Sequence, residues 1–223
     1  MNDFVLDEEY ILDSIKNLGH RYDTYKVFSD FITISAIAIN NSVNYKDEKE
    51  QEYLKIINRY DKAEREVLQN MFTALVVSLD PEEFNDVLGK VYEDLNLQNK
   101  FKGQFFTPPH LCDFMAKVSV DDNIEEIIKE KGYIGFNEPA CGSGRLIYSF
   151  LKEMKSKKIN YHSKIYIEAT DISTLCAYMT YIQLSLYGAN AKVVVGNTLS
   201  MEVFEILYTP FYYWFPILKK SGN

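Results

Sequence analysis

The chain has 223 residues, a net charge of −8 and 47% hydrophobic residues. That length admits one or two domains with an ample core. The negative balance argues against a freestanding nucleic-acid binder, whose affinity comes mostly from a basic face. The three cysteines, Cys112, Cys141 and Cys176, have neither zinc-ligand spacing nor the look of a disulfide framework, so no metal is expected and a reducing, cytoplasmic setting fits. Residues 1–4 lack the basic and apolar regions of a signal peptide. The longest apolar run, residues 31–39, is interrupted by Thr33 and Ser35 and is too short to span a bilayer, so no membrane is expected.

In chain order, residues 1–100 read as a helical region. Phe4, Ile11, Leu12, Ile15 and Leu18 make one apolar stripe. Val27, Phe28, Phe31, Ile32, Ile34, Ile37 and Ile39 are apolar nearly all round, the pattern of a buried helix. Asn40, Asn41 and Ser42 break it. Tyr53, Ile56, Ile57 and Tyr60, then Val67, Leu68, Met71, Phe72, Leu75 and Leu79, continue at helical spacing up to the stop at Asp80-Pro81. Phe84, Val87, Leu88, Val91, Tyr92 and Leu95 follow. No internal repeat or low-complexity linker divides the chain, and its 17 tyrosines form no base-stacking stripe.

Residues 101–223 read differently. The block G-Q-F-F-T-P-P-H-L at 103–111 predicts a helix with Thr107 as N-cap and Pro108 at the first position, and with Leu111, Phe114, Met115 and Val118 on one face. A short apolar run at 133–136 then leads into N-E-P-A-C-G-S-G-R-L at 137–146, which opens a segment with Leu146, Ile147, Phe150, Leu151 and Met154 at helical spacing. That is a strand, a glycine turn and a helix. Glycines there permit dihedrals closed to other residues and let a ligand approach bare backbone, and the helix start offers free N–H groups. A second strand at 165–170 ends in Asp171, where nucleotide folds place a ribose-binding acid. A third, at 192–195, ends in G-N-T-L at 196–199. Alone, Thr107 reads as a helix cap and Asp171 as a cap for a helix beginning at Ser173. Cys141 reads as a small buried filler, and Arg145 as a solvated first-turn residue within reach of a ligand carboxylate. Lys152, Lys155, Lys157, Lys158 and Lys164 form the densest basic cluster, at a helix end where lysines ordinarily suit the dipole.

In this order and spacing, G-Q-F-F-T-P-P, N-E-P-A-C-G-S-G, A-T-D-I-S and G-N-T-L resemble the N6-adenine DNA methyltransferases, most nearly the modification subunits of type I restriction-modification systems. Residues 86–93, D-V-L-G-K-V-Y-E, resemble the helix before the first block in those subunits. The resemblance implies an α/β fold: a truncated Rossmann-like core that binds S-adenosylmethionine, preceded by a helical N-terminal region. It also implies the site residues. Thr107 would close over the methionine end, and Ala140, Gly142 and Gly144 would form the backbone floor. Glu138 would face the methionine ammonium, Asp171 would hold the ribose hydroxyls, and Asn197 would contact the adenine amine. DNA and another subunit are the implied partners.

The family's catalytic signature, Asn, Asp or Ser followed by Pro-Pro and an aromatic residue, does not occur after the third strand. Its side-chain oxygen orients the exocyclic amine of a flipped adenine. The nearest remnant, Tyr208-Thr209-Pro210-Phe211, has no amide or carboxylate. Three readings therefore stand: an adenine-N6 methyltransferase-like protein, a non-catalytic cofactor-binding module acting through a partner, and a methyltransferase with another acceptor. The sheet also reads as unfinished. The aromatic run at 211–215 is expected to add a fourth strand beside the glycine-turn strand, and its uncovered rings predict a homodimer or hetero-oligomer.

Overall fold

The computed structural model describes residues 6–97, 106–120 and 123–217. Phe4 of the first stripe and residues 103–105 of the first block lie outside the described residues. The fold is α/β, with helices first and a four-stranded sheet after them.

Helices α1 (Glu8–Tyr22), α2 (Thr24–Asn41), α3 (Asp47–Ile57) and α4 (Lys62–Ser78) are set by their caps and apolar faces. Asp7 accepts from the Tyr10 N–H, and Asp23, at φ 75°, accepts from those of Tyr25 and Lys26. Asp61 and Glu64 form a reciprocal capping box at the start of α4. The all-round apolar α2 packs against α1 and α3 on its outer sides and against α10 on its inner side. Asp30, buried in α2, binds Arg59 and the Tyr60 hydroxyl. With α5 (Val87–Asp94), these helices share one hydrophobic core with the sheet.

After α6 (Pro109–Ser119) and α7 (Ile124–Lys131) comes β1 (Ile134–Glu138), then α8 (Arg145–Ser156), α9 (Tyr161–Lys164), β2 (Ile165–Asp171), α10 (Thr174–Leu186) and β3 (Asn190–Asn197). These three strands run parallel in the order β1-β2-β3, the product of two crossovers through helices. One face of the sheet is apolar: Phe136 stacks on Phe150 of α8, and Ile165, Ile167 and Ala169 are fully buried.

The fourth strand differs from the expectation. It is β4 (Glu202–Tyr208), antiparallel to β3 on the side away from β1. Residues 211–215 instead belong to the short helix α11 (Pro210–Trp214) and its end. Pro210 occupies the first helical turn, where its ring suits the backbone. The Asn190 amide donates to the carbonyls of Phe211 and Phe215, so the segment closes as a turn rather than extending. The glycine-turn strand β1, expected to be central, is consequently an edge strand among the described residues.

α6 carries a second difference. It begins at Pro109 with Pro108 at the cap position and no side-chain cap, so Thr107 is not its N-cap. Its apolar face exists but points outward. Cys112 and Ala116 are buried against α8, while Leu111, Met115 and Val118 are exposed and Phe114 is 64% exposed.

Candidate cofactor site

The site forms at the C-terminal ends of β1 and β2, where parallel strands open a crevice. The loop after β1 is held from three sides. The Cys141 N–H donates to the Thr170 carbonyl at 2.8 Å, and the Gly144 N–H to the Cys141 carbonyl at 2.8 Å. The Thr180 hydroxyl donates to the Gly142 carbonyl at 2.9 Å. Gly142 sits at φ 56° with the Phe106 ring against its bare α-carbon, a place where only glycine is unstrained. Its N–H points across to β2 and donates to Asp171 Oδ2 at 2.8 Å. Asp171 Oδ1 accepts the Ser173 N–H at 2.8 Å, while the cap of α10 is Ser173 itself. Asp171 thus ties the two strand ends together and keeps lone pairs directed to the crevice.

A cavity of about 420 Å³ opens here, lined in part by Thr107, Glu138, Ala140, Gly142 and Asp171. These five expected residues are brought together. Gly144 and Asn197 are not in the lining. Gly144 is buried, and a β-carbon on it would collide with the Tyr148 hydroxyl, so its glycine serves packing. Asn197 Oδ1 accepts the Leu199 and Ser200 N–H groups, so the acceptor expected to read adenine closes a local turn. Sequence reasoning missed Phe106, Met115 and Cys176 as lining. Met115 showed only as one member of an apolar helical face.

Two carboxylates define the electrostatics. Burial raises Glu138 above its ordinary value, against the Ala140 N–H that its Oε1 accepts at 3.2 Å. Burial also raises Asp171, against the N–H groups of Ser173 and Gly142. Carboxylates short of solvent favour a bound cation or hydroxyl donors. Burial pushes the neighbouring Cys176 thiol up to about 12, and Cys141 is raised also, so both thiols stay protonated and inert at neutral pH.

Beneath the glycine turn lies a buried polar network absent from the sequence reading. Asp86 caps α5 by accepting the Gly89 N–H at 2.9 Å. The same carboxylate accepts from the Ser143 hydroxyl at 2.5 Å, Arg145 Nε at 3.1 Å and Gln183 Nε2 at 3.1 Å. Burial raises Asp86, opposed mainly by Arg145. Arg145 is no solvated residue: its side chain is 11% exposed, pairs with Glu93 at 2.9 Å and donates to the Thr107 carbonyl at 3.3 Å. It therefore brackets the Phe106–Thr107 segment to the turn. The basic cluster is also partly neutralised, since Lys152 pairs with Glu83 and Lys155 with Glu82.

Residues 83–211 match the N-6 DNA methylase family, over half of the chain. The chain belongs to that family. The match takes in Asp86 and Glu93 as well as the glycine turn, so it spans both the cleft and the network beneath it. No curated protein matches this methylase-family chain. Among solved structures it is similar to a Listeria monocytogenes protein assigned as a class I S-adenosylmethionine-dependent methyltransferase, at 13% identity and a TM-score of 0.43. That similarity covers 82% of this chain and 51% of the other, so this chain spans about half its length.

S-adenosylmethionine is the family's cofactor, and the crevice suits it. The 420 Å³ volume lies in the range of small-molecule sites, and the two half-buried carboxylates complement a ligand bearing positive charge and ribose hydroxyls. Among the described residues no helix is long and apolar enough to cross a membrane, and no cluster of His, Cys, Asp or Glu is placed to hold a metal.

Proposed function

We propose that the chain is an S-adenosylmethionine-binding, DNA adenine-N6 methyltransferase-like protein related to type I modification subunits, in which this polypeptide supplies the cofactor half of the reaction centre. The single observation that carries this is Asp171. Its carboxylate holds the Gly142 N–H across the strand ends and faces the same crevice as Glu138. Asp171 accepts the ribose hydroxyls, Glu138 faces the ammonium, and the backbone of Ala140 and Gly142 forms the floor. Thr107, whose hydroxyl has no hydrogen bond among the described residues, closes the methionine end. When bound, the cofactor supplies an electrophilic methyl group.

The acceptor side supports a second reading for the isolated chain, that of a binding module without transfer. Moving a methyl group to an exocyclic amine needs acceptors that align the nitrogen lone pair. Thr209, in the remnant of the signature, is 0% exposed. Its hydroxyl donates to the Ala189 carbonyl and accepts the Ala191 N–H. Those residues lie at the start of β3, whereas the crevice lies at the other end of the parallel strands, roughly 20 Å away. The remnant is a structural splice. The test is incubation of purified chain with methyl-labelled cofactor and duplex DNA, RNA and protein acceptors. The expected result is cofactor retained by the chain, with very slow or no transfer to duplex DNA. Robust adenine-N6 methylation abolished by Asp171→Ala would overturn the module reading and leave the methyltransferase reading standing. No cofactor retention by folded chain would overturn both.

A further inference from the structure

Helix α2 is apolar nearly all round, with one exception. Tyr25, Ser29 and Thr33 recur at every fourth position and form a polar stripe along it. The stripe faces a cavity of about 250 Å³ between α2, α5 and the start of α10. None of its lining residues lines the cofactor crevice. Seven of the eight carry a hydroxyl, Leu175 being the exception, so the lining holds donors and acceptors but no formal charge at neutral pH. The volume is below that of sites for drug-sized ligands and suits a small ion.

Tyr92 marks this cavity as a site. Its ring packs against Phe28 and Phe106 and the residue is 1% exposed, yet its hydroxyl bonds to no group among the described residues. The other tyrosines less than 2% exposed behave differently. Tyr60 donates to Asp30, Tyr148 to the Ser143 carbonyl and Tyr181 to the Tyr208 carbonyl. A buried tyrosine hydroxyl ordinarily finds a partner, and the one in this cavity wall has none from the chain. The first turn of α10 is the second observation. Ser173 Oγ takes the Cys176 N–H, while the N–H groups of Thr174 and Leu175 have no acceptor among the described residues. A helix of 13 residues concentrates positive potential at that end. No carboxylate lines the cavity. Of the acids next to its lining residues, Asp30 pairs with Arg59 and Glu93 with Arg145, while Asp23 and Asp171 accept backbone N–H groups.

We propose that this cavity binds a small tetrahedral oxyanion of the phosphate class, as the free ion or as the end group of a larger molecule, held by hydroxyls and the start of α10 without a counter-charge. The Tyr92, Ser29 and Thr174 hydroxyls donate to it, and the first turn of α10 adds its field and its unpaired N–H groups. That field separates an anion from a neutral polyol, which the hydroxyls alone would not. The occupant also touches Ser173, whose N–H donates to Asp171 Oδ1 at the crevice. The inference stands whatever the crevice holds.

The experiment titrates the full chain, at constant ionic strength, with inorganic phosphate, methyl phosphate, sodium chloride and glycerol, and follows the amide NMR signals of Thr174 and Leu175. One or both phosphates should move these signals along a saturating curve, and which of them does so distinguishes the free ion from an end group. Tyr92→Phe should weaken that binding roughly tenfold or more, the loss of one hydrogen bond to a charged group. It should leave the melting temperature without phosphate within about 2 °C, since the chain itself loses no hydrogen bond. Tyr60→Phe, which loses the bond to Asp30, should do the reverse, lowering the melting temperature and leaving phosphate affinity unchanged. Ser29→Ala should also weaken binding and serves where the Tyr92 change disturbs folding. Shifts that fail to saturate, or that chloride reproduces, would overturn the proposal. So would a response to glycerol alone, or phosphate affinity unchanged in both Tyr92→Phe and Ser29→Ala.

Discussion

The crevice end of the sheet and the free flank of β1 share a strand but are built in opposite ways. Around the crevice nearly every polar group has a partner within the chain. The Asp86 carboxylate alone joins the α5 cap, the glycine turn, Arg145 and Gln183. Along the outer edge of β1, the backbone pairs with no strand among the described residues, and Gly135 and Asn137 are exposed. A fully partnered site has its geometry set before a ligand arrives. An edge strand is held on one side only among the described residues, so fewer contacts fix its geometry.

The contrast can be broken most severely at Arg145. Arg145→Ala leaves Asp86 buried without its cation, and removing one partner of a buried pair costs about 3–5 kcal/mol. Urea unfolding should show that loss, together with weaker cofactor binding as the Thr107 segment is released. A change below 1 kcal/mol would mean the network is not what sets the turn. A smaller break is Gly142→Ala, which forces a β-carbon into the left-handed region against Phe106, at a cost of about 1–2 kcal/mol. Thermal melts of the variant check that figure.

Glu138→Gln sharpens the comparison by separating binding from stability. It removes a charge that burial disfavours, so the melting temperature should hold or rise while cofactor affinity falls by about 1 kcal/mol. The pH dependence follows the same logic. Glu138 and Asp171 are both raised above their ordinary values of 4.5 and 3.8, so they take up protons early as pH falls from neutral into the mildly acidic range. A cationic ligand prefers the carboxylates, so affinity should fall with pH across that window. Their effect on stability has the opposite sign. The folded chain holds these protons more tightly than the unfolded chain, so they favour folding as pH drops through the same window. The smallest effect belongs to the flank: Lys129→Ala should leave stability within about 0.5 kcal/mol, because that side chain is exposed.

Much of this was legible in the residues. The all-round apolar α2 announced a helix enclosed on several sides, and it lies between α1, α3 and α10. The glycine turn, its preceding acid and Asp171 could be placed because their spacing is local to one strand-turn-helix unit and the strand beside it. What was not legible depends on distant partners. The outward direction of the α6 face is set by which side α8 occupies, and periodicity does not carry direction. The run at 211–215 looked like a strand because aromatic residues favour strands. Asn190, far back in sequence, instead ties its carbonyls into a turn. β4 escaped notice because Val203, Phe204, Ile206 and Leu207 fall on both of its faces and give no clean alternation. Asp86 reaches Ser143 and Arg145 across 57 and 59 residues, which no local pattern reveals.

The central claim is that the crevice beneath Gly142 holds S-adenosylmethionine through Asp171. The most direct measurement is calorimetric titration of the folded chain, and of folded Asp171→Ala, with the cofactor and its demethylated product. A single site on the unaltered chain is predicted, weakened by about 1.5–3 kcal/mol in the variant, the range for a hydrogen bond to a charged group. No heat with either ligand, or equal affinity in the variant, would contradict it.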